Sequence, residues 1–288
     1  MQGFTIGIQQ HKVDVEDKPF AIVDALGFSE ALESSDLMVV YKRYVWHNAM
    51  AWATASVQRS CKLEIIAVSD MLLIFPPSGV ESGKSLLGLV EYLCVLLSNA
   101  IVLPRGGVFP LRAGVSYGPL IAESHHTMPM KSDLPMPAFP LLIGRPVVEA
   151  HQWERQQKWV GGSIAPGSRQ HIENKIPGLL GDLVTRGFLA EWDIPTEHGL
   201  IPALALNYVC DRQRGELQQH HLEDAERAAK DISVKAKYRA ARLFVEGMLH
   251  RELYNPIKPI YTESEPPPAR PAPRAKADSE SEEKGTGL

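Results

Sequence analysis

Two apolar runs that each stop at a single aspartate constrain this chain more than any other feature. In the first, FAIVDALGFSE, Phe20 to Val23 reads as a buried strand, Asp24 ends it, Gly27 breaks it, and Ser29 stands at the N-cap of a helical segment. In the second, Leu63 to Ser69 and the run from Met71 up to Pro76 meet at Asp70, which reads as a hairpin with the acid at its tip. If the two strands are sheet neighbours, Asp24 and Asp70 converge on one metal site. The free N–H groups of the first turn and the positive end of the helix attract phosphate, and the carboxylates suit a divalent cation. One strand-end aspartate is as readily a capping residue, so the second acid carries the argument.

The rest of the composition narrows the class. At 288 residues, 44% hydrophobic and 22% charged, the chain suits a soluble globular protein with one large core or two small ones. A net charge of -4 and a pI near 6.2 give no basic field, so a nucleic-acid partner is not expected. The longest apolar stretch, Leu86 to Leu103, is interrupted by Glu91, Ser98 and Asn99 and reads as a buried helix, with no membrane span expected. Cys61, Cys94 and Cys210 are widely spaced with no CxxC, as for free thiols in a reducing compartment; with no signal-peptide pattern at the N-terminus, a cytoplasmic location is expected.

In order, the chain divides into a lead-in at 1–17 with an edge strand at Phe4 to Ile8, a main domain at 18–212, a helical segment at 213–256 and a disordered tail at 257–288. Ser29 to Arg59 reads as helical, in one piece or two. Helix Leu86 to Val102 follows the hairpin, then strands Phe109 to Ser116 and Tyr117 to Ala122, bent at Gly118. Glu123 to Pro140 reads as a long loop whose His125 and His126 are solvated rather than zinc ligands. A helix starts near Gly144, strand Gly162 to Ala165 and helix Arg169 to Lys175 follow, and strand Ile201 to Val209 closes the sheet; Gly215 to Tyr254 is helical with one apolar side.

Three charged features have two readings each. The segment SGVESGKS has three residues between Gly79 and Gly83 where a phosphate-binding P-loop has four, so it reads as a surface turn capped by Ser82, with Lys84 exposed. Arg112, alone in an apolar strand, is either a paired structural ion or a phosphate contact. Arg145, near a helix start, is a phosphate contact or a solvated charge, and Glu149, Gln152 and Glu154 read as solvated helix residues.

The order β, α, α, β, β, α, β, β, α, β, α, β, with acids after the first strand and at the first hairpin tip, resembles the class III nucleotide cyclases. FAIVDALGFSEAL resembles that family's opening, AVSDMLLIF its second-acid hairpin, and LRAGVSYGPLIAE its Arg-x-Gly strand pair; IGRPVVEAHQWE occupies the place of the helix that begins Gly-x-x-Val-Asn. The resemblance covers roughly residues 18 to 166. It implies an α/β (α+β) fold with a central, mostly antiparallel sheet, a ferredoxin-like βαββαβ core and flanking helices, and makes 18–212 the catalytic domain. It further implies two divalent cations, Mn²⁺ or Mg²⁺, held by Asp24, Asp70 and the Ala25 carbonyl, with backbone donors at Leu26, Gly27, Phe28 and Ser29 for the triphosphate. The family works as a head-to-tail homodimer with its sites at the subunit interface.

This chain departs from the family where base and transition state are read. The adenine-reading lysine is replaced by Ile66 and the base-reading aspartate by Leu141, while the transition-state Asn and Arg fall near Val148 and Gln152. Arg112, Arg145 and Lys42 are the candidate replacement cations, and Tyr41 and Tyr44 the candidate base contacts. The chain thereby resembles the pyrimidine branch of these cyclases, the Pycsar antiphage defence enzymes. That resemblance implies conversion of UTP, or CTP, to the cyclic monophosphate and pyrophosphate, the product switching on a separate effector. A purine cyclase with unusual base contacts and a non-catalytic nucleotide-binding module are the alternatives.

Overall fold

The computed structural model describes residues 15–57, 61–103, 109–126 and 139–257. The fold is built on β1, Glu16–Ala25, where Phe20 and Ile22 alternate with Ala21 and Val23 and all four are buried. Apolar residues on both faces mark a strand covered on two sides. Two helices, α1 (Phe28–Ser34) and α2 (Leu37–Val57), lead to the hairpin β2 (Glu64–Val68) and β3 (Met71–Phe75). Then come α3 (Ser82–Val102), β4 (Leu111–His126), β5 (Phe139–Gly144), α4 (Arg145–Gln156) and β6 (Gly161–Ile164). Helices α5 (Pro166–Lys175) and α6 (Leu179–Thr185), hairpin β7 (Leu189–Thr196) and β8 (Gly199–Leu206), and helices α7 (Arg212–Ala228) and α8 (Ile232–His250) complete the described chain.

The eight strands form one sheet in the order β2-β3-β1-β4-β6-β8-β7, with β5 added to β4; every pairing is antiparallel except β4 with β6. The mixed α+β class with a mostly antiparallel sheet is the expected one. The part β2-β3-β1-β4, with helices between β1 and β2 and between β3 and β4, is the expected βαββαβ arrangement.

Two helices sandwich β1. Helix α3 shares the main core with Ala21 and Val23. It is long and apolar enough to cross a membrane, yet 89% of its most apolar window is buried inside the protein. Its polar interruptions also have partners: Ser98 accepts from the Gln218 amide at 2.9 Å, and the Asn99 side-chain oxygen from Arg214 of α7 at 3.0 Å. Helix α4 covers the opposite face, where Ala150 packs with Phe20 and Ile22.

Contact between α4 and β4 depends on Gly114, since a Cβ there would lie 2.4 Å from the Ala150 carbonyl oxygen and 2.8 Å from the Glu154 nitrogen. Both obstacles are backbone and cannot swing away. Gly114→Ala is expected to cost about 1–3 kcal/mol, as overpacking does. Urea unfolding reads this as a lower midpoint at unchanged slope; an unchanged midpoint would refute the close approach.

Several local expectations are corrected. β4 runs unbroken through Gly118, and the stretch expected to be loop holds its end and the first two residues of β5, around residues 127–138 that are not described. The side chains of His125 and His126, the strand at Phe4 to Ile8 and the tail beyond 257 lie outside the described residues. The GKS triplet sits inside the first turn of α3 rather than in a loop, and its N-cap is Glu81, not Ser82. The sheet is closed by β7, not by the strand after Ile201. The C-terminal helical region is two helices, because Asp231 caps α8 by accepting from the Ser233 and Val234 N–H groups. Both helices join the main core: Phe244 packs among Trp159, Trp192 and Tyr208 at centroid distances of 5.2–5.3 Å, edge-on to the two tryptophans.

Candidate active site

Strand pairing gathers the candidate acids. Asp24 lies opposite Met71 in the β1–β3 register, and the Ala25 N–H donates to the Asp70 carbonyl at 3.0 Å. Asp70 occupies a two-residue turn with Ser69, which adopts φ 55°, a left-handed value uncommon outside glycine. Among the described residues the Asp70 carboxylate has no hydrogen-bond or ion-pair partner within the chain, although it is not fully exposed.

On the other side of β1, Asp24 lies opposite Arg112. Arg112 is only 9% exposed, and its guanidinium donates in three directions: to Asp24 Oδ2 at 3.2 Å, to the Gln157 carbonyl at 3.0 Å, and to Glu154 Oε1. Arg112 is therefore held as a paired ion, with none of these bonds aimed outward. Gln157 is held in turn, its amide donating to the Ala113 carbonyl at 2.9 Å and its oxygen accepting from Trp159 and Ser163, each at 2.9 Å.

Burial pushes the Asp24 carboxyl up from its ordinary pKa; Arg112 pulls it down, and Asp70 pushes it up again. Glu154 is raised for the same leading reason, with Arg112 opposing. Two carboxylates thus share one guanidinium while a third, Asp70, stands at the same sheet end. This excess of negative charge fits a divalent cation, as does a donor set of carboxylates that leaves coordination positions for phosphate oxygens. Among the described residues no three His, Cys, Asp or Glu side chains are grouped for a metal. A site here is thus a two-carboxylate site completed by a backbone carbonyl such as that of Ala25 and by the ligand.

The turn after Asp24 is only partly as expected. Gly27 is the N-cap of α1 at φ 80°, and Ser29 lies within the first helical turn. The Leu26 N–H already donates to the Pro110 carbonyl at 2.8 Å and leaves the set of free donors, whereas among the described residues no acceptor meets the N–H groups of Gly27, Phe28 and Ser29. Phe28 packs its ring on Phe109 and Tyr44, at 5.4 and 6.0 Å between centroids.

The other candidates disperse. Arg145 is exposed beside Glu149 at 3.8 Å, at the α4 end nine residues from Glu154, roughly 13 Å along the helix. Within one chain it does not reach Asp24. Lys42 and Tyr41 are exposed on the outer side of α2, and Tyr44 is half-buried against Phe28. Val148 and Gln152 are exposed on α4, so the places expected for the transition-state Asn and Arg hold an aliphatic side chain and an uncharged amide. Lys84 pairs with Glu81 at 3.4 Å, away from the acids.

Three residues escaped the sequence reading. Glu154, taken for a solvated charge, is 2% exposed and bound to Arg112. Arg43 of α2 lies over the Phe109 ring, 3.9 Å from its centroid. Lys237 of α8 reaches the same neighbourhood, close enough to Asp24 and Arg112 for their charges to act on it. Gly114, two residues after Arg112, was a signal for Glu154, since a glycine in a strand marks close approach of another backbone.

No family model matches the chain, and no curated protein matches it. Among solved structures it is similar to the guanylate cyclase domain of RhGC from Catenaria anguillulae in complex with GTP, with 14% identity, 66% of this chain and 96% of that chain covered, and a TM-score of 0.47. It is also similar to the adenylyl cyclase CyaB from P. aeruginosa, at 16% identity over 67% of this chain and 94% of that one, with a TM-score of 0.45. A bacterial light-regulated adenylyl cyclase aligns at 15% identity over 82% of this chain and 58% of that chain, also at 0.45. These likenesses are distant, and the functional reading rests on the residues described above.

Proposed function

We propose that this chain is a nucleotide cyclase acting on a pyrimidine nucleoside triphosphate, UTP or CTP, to give the 3',5'-cyclic monophosphate and pyrophosphate. The observation that carries the reading is the convergence of Asp24, at the end of β1, and Asp70, in the turn leading into the neighbouring β3, with the Asp70 carboxylate unpartnered among the described residues and a chain turn opening two residues beyond Asp24. Asp24, Asp70 and the Ala25 carbonyl would hold two divalent ions, Mn²⁺ or Mg²⁺. Bound there, such ions neutralise phosphate charge and acidify the attacking ribose hydroxyl. Arg112, held by Glu154 and Gln157, orients Asp24 and opposes the rise that burial imposes on its carboxyl. The N–H groups of Gly27, Phe28 and Ser29 face the phosphates. Ile66 and Leu141 in place of polar purine readers favour the smaller base, with Tyr41 and Tyr44 as its candidate contacts and Arg145 as a cation offered to the site of a partner subunit.

The reading includes a homodimer, and α2 supports it. Its inner side buries Val40, His47, Met50 and Ala51, yet its outer side exposes Leu37, Met38, Tyr41, Val45, Trp46 and Trp52. A helix apolar all round is one that is buried, and exposed apolar patches of this kind mark interfaces. Trp46 and Trp52 are 47% and 55% exposed. The double substitution Trp46→Glu, Trp52→Glu is expected to convert the dimer to monomer and to lower turnover at least tenfold, since the family's sites lie between subunits. Sedimentation velocity reads the first effect; a variant that stays dimeric would remove α2 from the interface.

In this reading residues 18–212 form the catalytic domain, and the cyclic product acts on a separate effector in defence against phage. The test incubates the protein with Mn²⁺ or Mg²⁺ and each of the four ribonucleoside triphosphates and identifies products by mass spectrometry. Cyclic UMP or CMP is the expected product. A purine product would move the assignment to an adenylate or guanylate cyclase, and no product from any triphosphate, with phage extract added as trigger, would make the chain a binding module.

A further inference from the structure

Beyond the acids, the turn after β1 opens into a cavity of about 250 Å³. Its floor is Leu26 and Gly27, and its walls carry Arg43 from α2, Glu30 from α1, and Lys237 and Tyr238 from α8. Two cations face one carboxylate, so the cavity is net positive although it adjoins a cluster of acids.

Lys237 is the unusual member. It is half-buried, and among the described residues no carboxylate lies within ion-pair distance of its ammonium and no hydrogen bond reaches it. Burial, then Arg112 and Lys158, push it below the ordinary lysine pKa, while Asp24 and Asp231 act the other way. Burial likewise lowers Arg43, which Tyr238 opposes. Holding an ammonium partly out of water without a counter-ion is unfavourable, and an anion in the cavity removes the penalty. Such an anion has to be small and multiply charged to meet both a point-charge ammonium and a planar guanidinium, which is the chemistry of a polyphosphate.

We propose that Lys237 and Arg43 bind the terminal phosphates of the nucleoside triphosphate, so that helix α8, far along the chain from both acids, completes the site within the same subunit. The inference rests on the proposed nucleotide cyclase function and adds to it the residues that grip the far end of the substrate. It also gives the C-terminal helix pair a task besides packing: Phe244, seven residues on, anchors α8 among Trp159, Trp192 and Tyr208 and so fixes Lys237 over the cavity.

The probe is inorganic tripolyphosphate, titrated calorimetrically into the full chain without metal. Lys237→Met is expected to weaken binding about tenfold or more, the loss of one charge-assisted contact, and Lys237→Arg to keep it within about threefold. Lys230→Met, at an exposed position before α8, should leave it unchanged. Lys237→Gln serves as the second variant if methionine unfolds the protein, which a thermal melt shows. Tripolyphosphate binding that is equally tight in the wild type and in Lys237→Met or Lys237→Gln overturns the inference. Turnover separates it from the reading beneath it. Cyclisation with an unchanged KM in Lys237→Met keeps the cyclase and discards the inference, whereas Lys237-dependent tripolyphosphate binding in a chain that cyclises nothing keeps the inference and discards the cyclase.

Discussion

Asp70→Ala is expected to abolish cyclisation, by at least about a thousandfold, while leaving the fold intact. The size follows from the proposed role: losing one of two carboxylates that would hold the catalytic ions would remove electrostatic stabilisation of the reacting phosphates, commonly the largest single contribution to such catalysis. The intact fold follows from the surroundings, because the Asp70 side chain has no partner within the described chain to lose. What ties this turn to β1 is the Asp70 carbonyl, which the substitution keeps. The thermal midpoint should therefore move by no more than a few degrees. In the wild type alone, Mn²⁺ should raise that midpoint. A variant that retains turnover excludes Asp70 as a metal ligand; one that loses turnover only by unfolding shows it to be structural.

Arg112→Met is expected to do the reverse, damaging the fold first. It leaves the partly buried Asp24 and the buried Glu154 as neighbouring carboxylates with no cation between them, and breaking a buried pair in this way typically costs about 3–5 kcal/mol. The penalty depends on pH with a definite sign. Both carboxyls already have raised pKa values in the folded protein, led by burial, and losing the guanidinium that opposes the rise lifts them further. Stability from a raised acid is fully present below its unfolded pKa and is lost as pH rises through its folded pKa. The variant should thus approach the wild type near pH 4 and fall furthest behind at pH 7 to 8, as denaturant titrations across that range will show. A pH-independent deficit would mean that Arg112 contributes packing rather than charge. His47 runs in the opposite direction in both proteins, its pKa lowered to about 4 by burial, so wild type and variant are best compared at each pH.

The legible parts of this fold are those where a residue type contradicts its surroundings. Asp24 and Asp70 interrupt apolar runs, and their places at a strand end and a hairpin tip follow from that interruption alone. The single polar residue in the apolar start of β4, Arg112, announced an ion pair by the same logic, but not its partners. Glu154 stayed hidden because a charge on a helix is ordinarily solvated, and only tertiary packing against Gly114 puts this one inside. Lys237 was hidden more deeply: its relation to Asp24 spans more than two hundred residues of sequence and passes through no local pattern. The split between α7 and α8 was readable after all, since Asp231 followed two residues later by Ser233 is a helix-capping pair.

The pairing of β1 also has a bearing on how the molecule comes into being. Its neighbours are Met71 to Ile74 on one edge and Leu111 to Leu120 on the other, so β1, the first of the described strands to leave the ribosome, waits for its last partner until about a hundred further residues have followed. Contacts so distant in sequence close slowly, and an unpaired apolar strand is what chains aggregate through. The same wait defers the charged centre, for Asp24 acquires Arg112 only when β4 docks and Arg112 acquires Glu154 only when α4 follows. A nascent chain therefore carries Asp24 through almost ninety further residues without this counter-charge, and the site matures in the order in which its strands arrive.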